Sequence, residues 1–206
     1  GLLFSRLNDK GYLFSKTIGI AFSGYLMWML SALKIMKFTT ASCIVTAGIG
    51  LIINIIIFVY ARVKSKQEEK FLNDYLKKEK LVTFLLEELL FLSVFMFFTY
   101  IRGFKPEAYG TEKFMDYGFM TTMMRSEYMP PQDFWFSGTT LNYYYVGQFM
   151  ATYLTRLSFV EVSHGYNLML MMTGAFCFVL PFSLAYNLMI KYGYLINKKS
   201  QISAVI

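Results

Sequence analysis

Residues 62–101 read RVKSKQEEKFLNDYLKKEKLVTFLLEELLFLSVFMFFTYI, and the reading of the whole chain turns on the break in the middle of this stretch. Before the break stand Arg62, Lys64, Lys66, Lys70, Lys77, Lys78 and Lys80; after it, only Glu87 and Glu88 interrupt an apolar run that reaches residue 101. A helix of about 20 apolar residues crosses the ~30 Å hydrocarbon core of a bilayer. A basic cluster flanking such a run marks the cytoplasmic side. Working outward, runs of similar length and character occupy residues 12–33, 40–60 and 166–190. The expected fold is therefore an all-α integral membrane protein with about four transmembrane helices.

Composition agrees. Apolar residues make up 56% of the 206 residues and charged residues 16%, against about 25% charged in soluble domains. The chain begins at Gly1 and turns apolar again over residues 201–206, so it is expected to be a fragment of a larger bundle. The start has no basic head, short apolar middle and small-residue cleavage site, which makes the first run a retained span rather than a secretory signal. Cys43 and Cys177 both fall inside apolar runs without ligand neighbours, so both are expected to be small buried residues.

With the basic cluster inside, Arg6, Lys10 and Lys16 are also cytoplasmic, the Lys34/Lys37 turn is an outer link, and residues 102–140 form an outer loop. Residues 142–159 are a fifth apolar stretch, shorter and carrying Arg156. If they cross the membrane, Lys191, Lys198 and Lys199 end up outside, against the charge rule; if they lie on the surface, these lysines fall inside. Four spans plus an outer interfacial or re-entrant helix is the favoured arrangement. The acidic and basic residues of 62–80 alternate at helical spacings, as in a solvated cytoplasmic helix or hairpin.

The outer loop, RGFKPEAYGTEKFMDYGFMTTMMRSEYMPPQDFWFSGTTLNYYYVGQ, begins at Arg102. Thr111 is placed to cap a helix starting at Glu112 and stopping before Pro130 and Pro131. Glu112 and Asp116 then lie one turn apart, near the N-terminal dipole and Lys113. Phe114, Met115, Phe119, Thr122 and Met123 form the opposite face, expected on the membrane. Such a carboxylate pair can hold a divalent cation, Mn²⁺ or Mg²⁺, or let one member take a proton from a hydroxyl. Consecutive tyrosines Tyr143, Tyr144 and Tyr145 on a helix point about 100° apart. They suit either an aromatic belt or a sugar-binding surface. Within the third span, Glu88 is the carboxylate expected to face the bundle, with snorkelling toward Lys80 or neutralisation as the alternatives. No glycine-rich phosphate loop or CxxC pair is present. His164 is the only histidine, so neither a Ser-His-Asp mechanism nor a multi-histidine metal site is expected within this sequence.

EELLFLSVFMFFTYIRGFKPE, EKFMD at 112–116, PPQDFWFSG at 130–138, NYYYVG at 142–147 and YNL at 166–168 occur in that order. On these motifs the chain resembles the prokaryotic "YYY" membrane-protein family of Chloroflexi and archaeal type, named for its tyrosine triplet. That family has a histidine after the glycine of NYYYxG in many members; Gln148 stands there in this chain. The family is in turn similar to the GT-C type glycosyltransferases, in which a span delivers an acidic motif to the first outer loop and surface helices follow.

The resemblance implies a GT-C-like core at 81–190, preceded by two transmembrane helices at 1–61 and the cytoplasmic basic loop at 62–80. A link at 191–206 would lead to a further span. It implies a glycosyltransferase of the prokaryotic cytoplasmic membrane that takes its sugar from a polyprenyl-phosphate carrier at the outer face. Asp116 and Glu112 would be the catalytic or metal-binding carboxylates. Arg102, Lys105, Lys113 and Arg125 would meet the phosphate, and Asp133, Trp135, Asn142, Tyr143, Tyr144, Tyr145 and Gln148 would line the donor groove. Membrane lipids are expected partners, and nucleic acid is not. A transporter or flippase using Glu87, Glu88 and the loop carboxylates is the alternative, and a non-catalytic envelope scaffold a third class. No internal repeat of the kind common in transporters is visible.

Overall fold

The structure is a computed structural model that describes residues 4, 7–64 and 77–203, side chains excepted at 61–64 and 194–203. Helix α1 is Tyr12–Ala32, α2 Thr40–Lys64, α3 Lys78–Gly103, α4 Lys113–Arg125, α5 Val146–Leu157 and α6 Val162–Ser203. Four of these are long and apolar enough to cross a membrane: Tyr12–Ala32, Thr40–Tyr60, Lys78–Gly103 and Val162–Gly193. Their side chains turn outward. Leu51, Ile52, Ile55 and Ile56 on α2 and Leu85, Leu86, Leu92 and Met96 on α3 are all exposed, an apolar surface that only lipid can cover at this extent. The chain is an all-α integral membrane protein.

The spans pair as α1 with α2 and α3 with α6. Phe91 meets Phe176 with ring centroids 4.9 Å apart, and Gly174 lets Phe98 approach α6 closely. At the α3 entrance to the bundle Glu88 accepts from Lys16 and from Tyr12 Oη (2.5 Å). The bundle-facing carboxylate is Glu87, 7% exposed, so the expectation for Glu88 is corrected. Lys80 instead donates to Asn8. Cys43 is buried as expected, whereas Cys177 is exposed on α6. The helix or hairpin expected at 62–80 lies mostly outside the described residues; its flanks extend α2 and α3.

The helices α4 and α5 cap one end of the bundle. At 12 residues, or about 18 Å, α5 is too short to span, so α1, α2, α3 and α6 are the four crossings. Nor does α5 simply lie on the surface. Its face of Phe149, Thr152, Tyr153 and Thr155 is buried, packed against α1, α2, α4 and α6. Tyr153 Oη donates to the Cys43 carbonyl (3.2 Å), and Trp28 Nε1 donates to Tyr145 Oη (3.0 Å). The cap core joins Met27, Phe38, Cys43, Phe119, Met123, Met129, Leu141, Phe149 and Tyr153. Arg156 closes it by lying 4.6 Å over the Phe38 ring and donating to the Met124 carbonyl (2.8 Å).

Two local expectations change and one holds. Thr111 adopts positive φ and caps nothing; α4 starts at Lys113, with Glu112 at its N-cap and no side-chain bond. The helix ends at Arg125, ahead of the prolines, because the following chain is drawn onto the α1–α2 turn. There Phe38 N–H bonds the Glu127 carbonyl (2.6 Å) and Met129 N–H bonds Ser31 Oγ (3.1 Å). The apolar face of α4 also differs in destination, since Phe119 and Met123 enter the protein core rather than lipid.

Candidate functional site

Where α4, α5 and α6 meet, a cavity of about 210 Å³ opens, lined by Asp116, Met120, Gly147, Gln148, Ala151, Tyr166, Met169, Leu170 and Thr173. Asp116 reaches it from the first turn of α4, where the helix dipole favours negative charge. Its Oδ1 accepts a hydrogen bond from Gln148 Nε2 at 2.7 Å, so the first turn of α5 fixes its orientation. Tyr166, near the start of α6, is 3% exposed and stacks edge-on against Tyr117. Its hydroxyl is buried without a hydrogen-bond partner. Buried hydroxyls are rarely left unpaired. This one lines the cavity beside a carboxylate and asks for a ligand acceptor or donor.

Arg102 sits at the C-terminal end of α3. Its Nε donates to Asn167 Oδ1 (2.7 Å), and one terminal nitrogen donates to the Pro106 and Glu107 carbonyls (3.3 and 3.2 Å). It thereby ties α3, α6 and the approach to α4 together, one residue from Tyr166. Lys105 is exposed and Lys113 half-buried at the start of α4. Arg125 lies nine residues further along α4 than Asp116, about 14 Å away by helical rise, and outside the cavity lining.

An aromatic shelf runs beside the carboxylates. Phe114 meets Trp135 (5.9 Å), Trp135 meets Phe134 (5.2 Å), Phe134 meets Phe119 (5.5 Å), Phe119 meets Tyr143 (5.8 Å), and Tyr143 meets Tyr144 (4.1 Å). Trp135 and Tyr144 remain well exposed. The tyrosine triplet precedes α5 in non-helical chain rather than lying on a helix, so Tyr143 and Tyr144 share the shelf while Tyr145 turns into the cap core. A hydrogen bond with Tyr143, together with the nearby charges of Glu112 and Asp116, pushes the Tyr144 phenol up to about 12. It stays neutral, a stacking ring and hydrogen-bond donor rather than a base.

Asp133 builds the shelf instead of lining a pocket: its Oδ1 accepts from the Trp135 and Phe136 N–H groups at 2.7 and 3.2 Å, an Asx-type turn. Asn142 is exposed. Among the described residues no group of three or more His, Cys, Asp or Glu side chains could hold a metal ion. Glu112 and Asp116 are a two-carboxylate set, the kind that holds Mg²⁺ when substrate phosphates complete its shell. Sequence reasoning missed Tyr166 as a site residue and Asn167 as the partner of Arg102. The YNL motif at 166–168 was their one signal.

The model of the DUF2298 family, described as an uncharacterized membrane protein, matches residues 22–206. The chain belongs to the DUF2298 family. No curated protein and no solved structure matches it. The DUF2298 match takes in the cavity, the aromatic shelf and the three helices α4, α5 and α6 that meet at the cavity, and it begins after Asp9, Tyr12 and Lys16.

Proposed function

We propose that this DUF2298 chain carries the reaction centre of a membrane-embedded glycosyltransferase using a polyprenyl-phosphate-linked sugar at the outer face of the membrane. One observation carries the reading: a carboxylate oriented by Gln148 and an unpartnered buried hydroxyl on Tyr166 converge on one cavity at the cap end of the spans. In this scheme Asp116 takes the proton from the acceptor hydroxyl as it attacks the sugar. Tyr166 hydrogen-bonds the sugar or the departing phosphate. Trp135, Tyr143 and Tyr144 offer ring faces to sugar or isoprenoid. In the alternative role Asp116 and Glu112 would hold a divalent cation, which would supply charge neutralisation for the donor phosphate.

The test is transfer from radiolabelled polyprenyl-phosphate sugars by the purified full-length protein, with and without Mn²⁺ or Mg²⁺. Asp116→Asn preserves shape and should lower turnover about 10²- to 10⁴-fold, whereas Asp133→Asn should cost less because it perturbs only a turn. Full turnover in both Asp116→Asn and Glu112→Gln would remove the carboxylate mechanism. Transport of a lipid-linked substrate is the second reading, favoured by the buried Glu87 at the opposite end of the bundle. Flux of a labelled lipid across vesicles without chemical change would select it.

A further inference from the structure

The end of the bundle remote from the cavity holds a second polar cluster that the proposed reaction does not use. Asp9, in the segment preceding α1, is fully buried and packs among Ser183 and Asn187 of α6 and Glu87 of α3. Every contact to Asp9 from backbone, hydroxyl and amide is a donor. Gly11 N–H reaches Oδ1 at 2.8 Å, while Ser183 Oγ and Asn187 Nδ2 reach Oδ2 at 2.5 and 2.8 Å. The Asn187 carbonyl oxygen accepts in turn from Asn8 N–H at 2.7 Å, which orients the amide with its nitrogen toward Asp9.

Glu87 is the opposite case. It is 7% exposed, its Oε2 is buried without any partner, and its carboxyl lies against that of Asp9. Two adjoining buried carboxylates repel when both are ionised, so one of the pair keeps its proton. The three donors on Asp9 assign the negative charge to it, and Glu87, facing none, holds the proton. Burial alone would push Asp9 up, but the bonds from Ser183, Gly11, Asn187 and Glu87 outweigh it and hold its carboxyl below the usual range. The charged and titratable groups around the pair are Lys16 and Tyr12 of α1, which bind Glu88, and Lys80 of α3, which donates to the neutral Asn8.

We infer that Asp9 and Glu87 form a proton-binding site inside the bundle, in which one shared proton fastens the segment preceding α1 to α3 and α6. The occupant is a proton rather than a metal cation, because the hydroxyl and amide beside Asp9 point their hydrogens at it and leave no set of oxygens turned inward. Loss of the proton places two negative charges together at membrane depth, and the segment must then leave α6 or draw in water.

Infrared spectroscopy of the full-length protein in lipid nanodiscs tests this. At neutral pH a C=O stretching band of a protonated carboxyl should be present, shift on transfer to D₂O, and vanish in Glu87→Gln. In Asp9→Asn the band should remain but move in frequency, since its acceptor has changed from carboxylate to amide. Identical wild-type and Glu87→Gln spectra would overturn the assignment, as would a band unmoved by Asp9→Asn. Failure of Glu87→Gln to fold would count against it equally, because a neutral isostere is what the site is said to hold. None of these outcomes depends on glycosyl transfer.

Discussion

Tyr166 and Asp9 are each defined by what faces their polar atoms, and each makes a separable prediction. An unpartnered buried hydroxyl gives no net stabilisation, so Tyr166→Phe should leave the melting temperature unchanged or slightly raised. If the hydroxyl serves a ligand, the same variant should lose about tenfold or more in turnover, and a variant equal to wild type in both respects would make the cavity incidental. Asp9 has a folded-state pKa held below its ordinary value. Its stabilisation is therefore complete above about pH 4 and is lost as pH falls through the lower folded value. Thermal melts of the detergent-solubilised protein across that window should show a steep acid loss in wild type and a shallower one in Asp9→Asn. Asp116 was legible from its place in a short acidic motif, because helix spacing and the dipole act locally. Asp9 was not: its partners lie 174 and 178 positions away on α6. Glu87 and Glu88 are neighbours about 100° apart on one helix, and only the packed neighbours decide which of them enters the bundle.

The elements α5 and α6 meet through a close contact at Gly165. A Cβ there would come 2.4 Å from Thr155 Oγ1 and 2.5 Å from its Cγ2, and a buried β-branched side chain on a helix has little freedom to yield. Gly165→Ala should therefore destabilise the cap by about 1–3 kcal/mol, whereas Gly147→Ala, whose Cβ meets nothing within 4 Å, should fold normally; comparing their melting temperatures checks both. The four long spans could be read directly, since their length and apolarity exceed anything a soluble helix requires. The caps were harder. An apolar face on α4 reads alike whether it meets lipid or protein, and Phe119 and Met123 met protein. The stretch at 142–159 left crossing and surface readings open because its apolar content includes three tyrosines that precede the helix. Once α5 shrinks to 12 residues, only a cap remains. Helical spacing could not assign the tyrosine triplet, because the irregular chain before α5 turns Tyr145 inward and leaves the other two together.

For the molecule as a whole, the proposal that the cap faces outward rests on the basic cluster at residues 62–80. Gln132→Cys, exposed at the cap end, should react with a membrane-impermeant thiol reagent in intact cells, and Glu79→Cys, exposed where α3 begins, should react only after lysis. Native Cys43 is buried and Cys177 lies within a span, so neither should contribute signal. The reverse labelling would invert the topology and move the proposed chemistry to the cytoplasm. The spans bury little within the chain, no more than 17% of any crossing window, while the large buried side chains concentrate in the cap. Two different solvents therefore hold one chain together. Water drives the cap closed, whereas the crossing helices exchange one apolar surrounding for another when they separate. The heat capacity of unfolding should then come from the cap alone, since only newly wetted apolar surface contributes to it. Heating would strip the cap and its cavity from crossing helices that keep their circular dichroism.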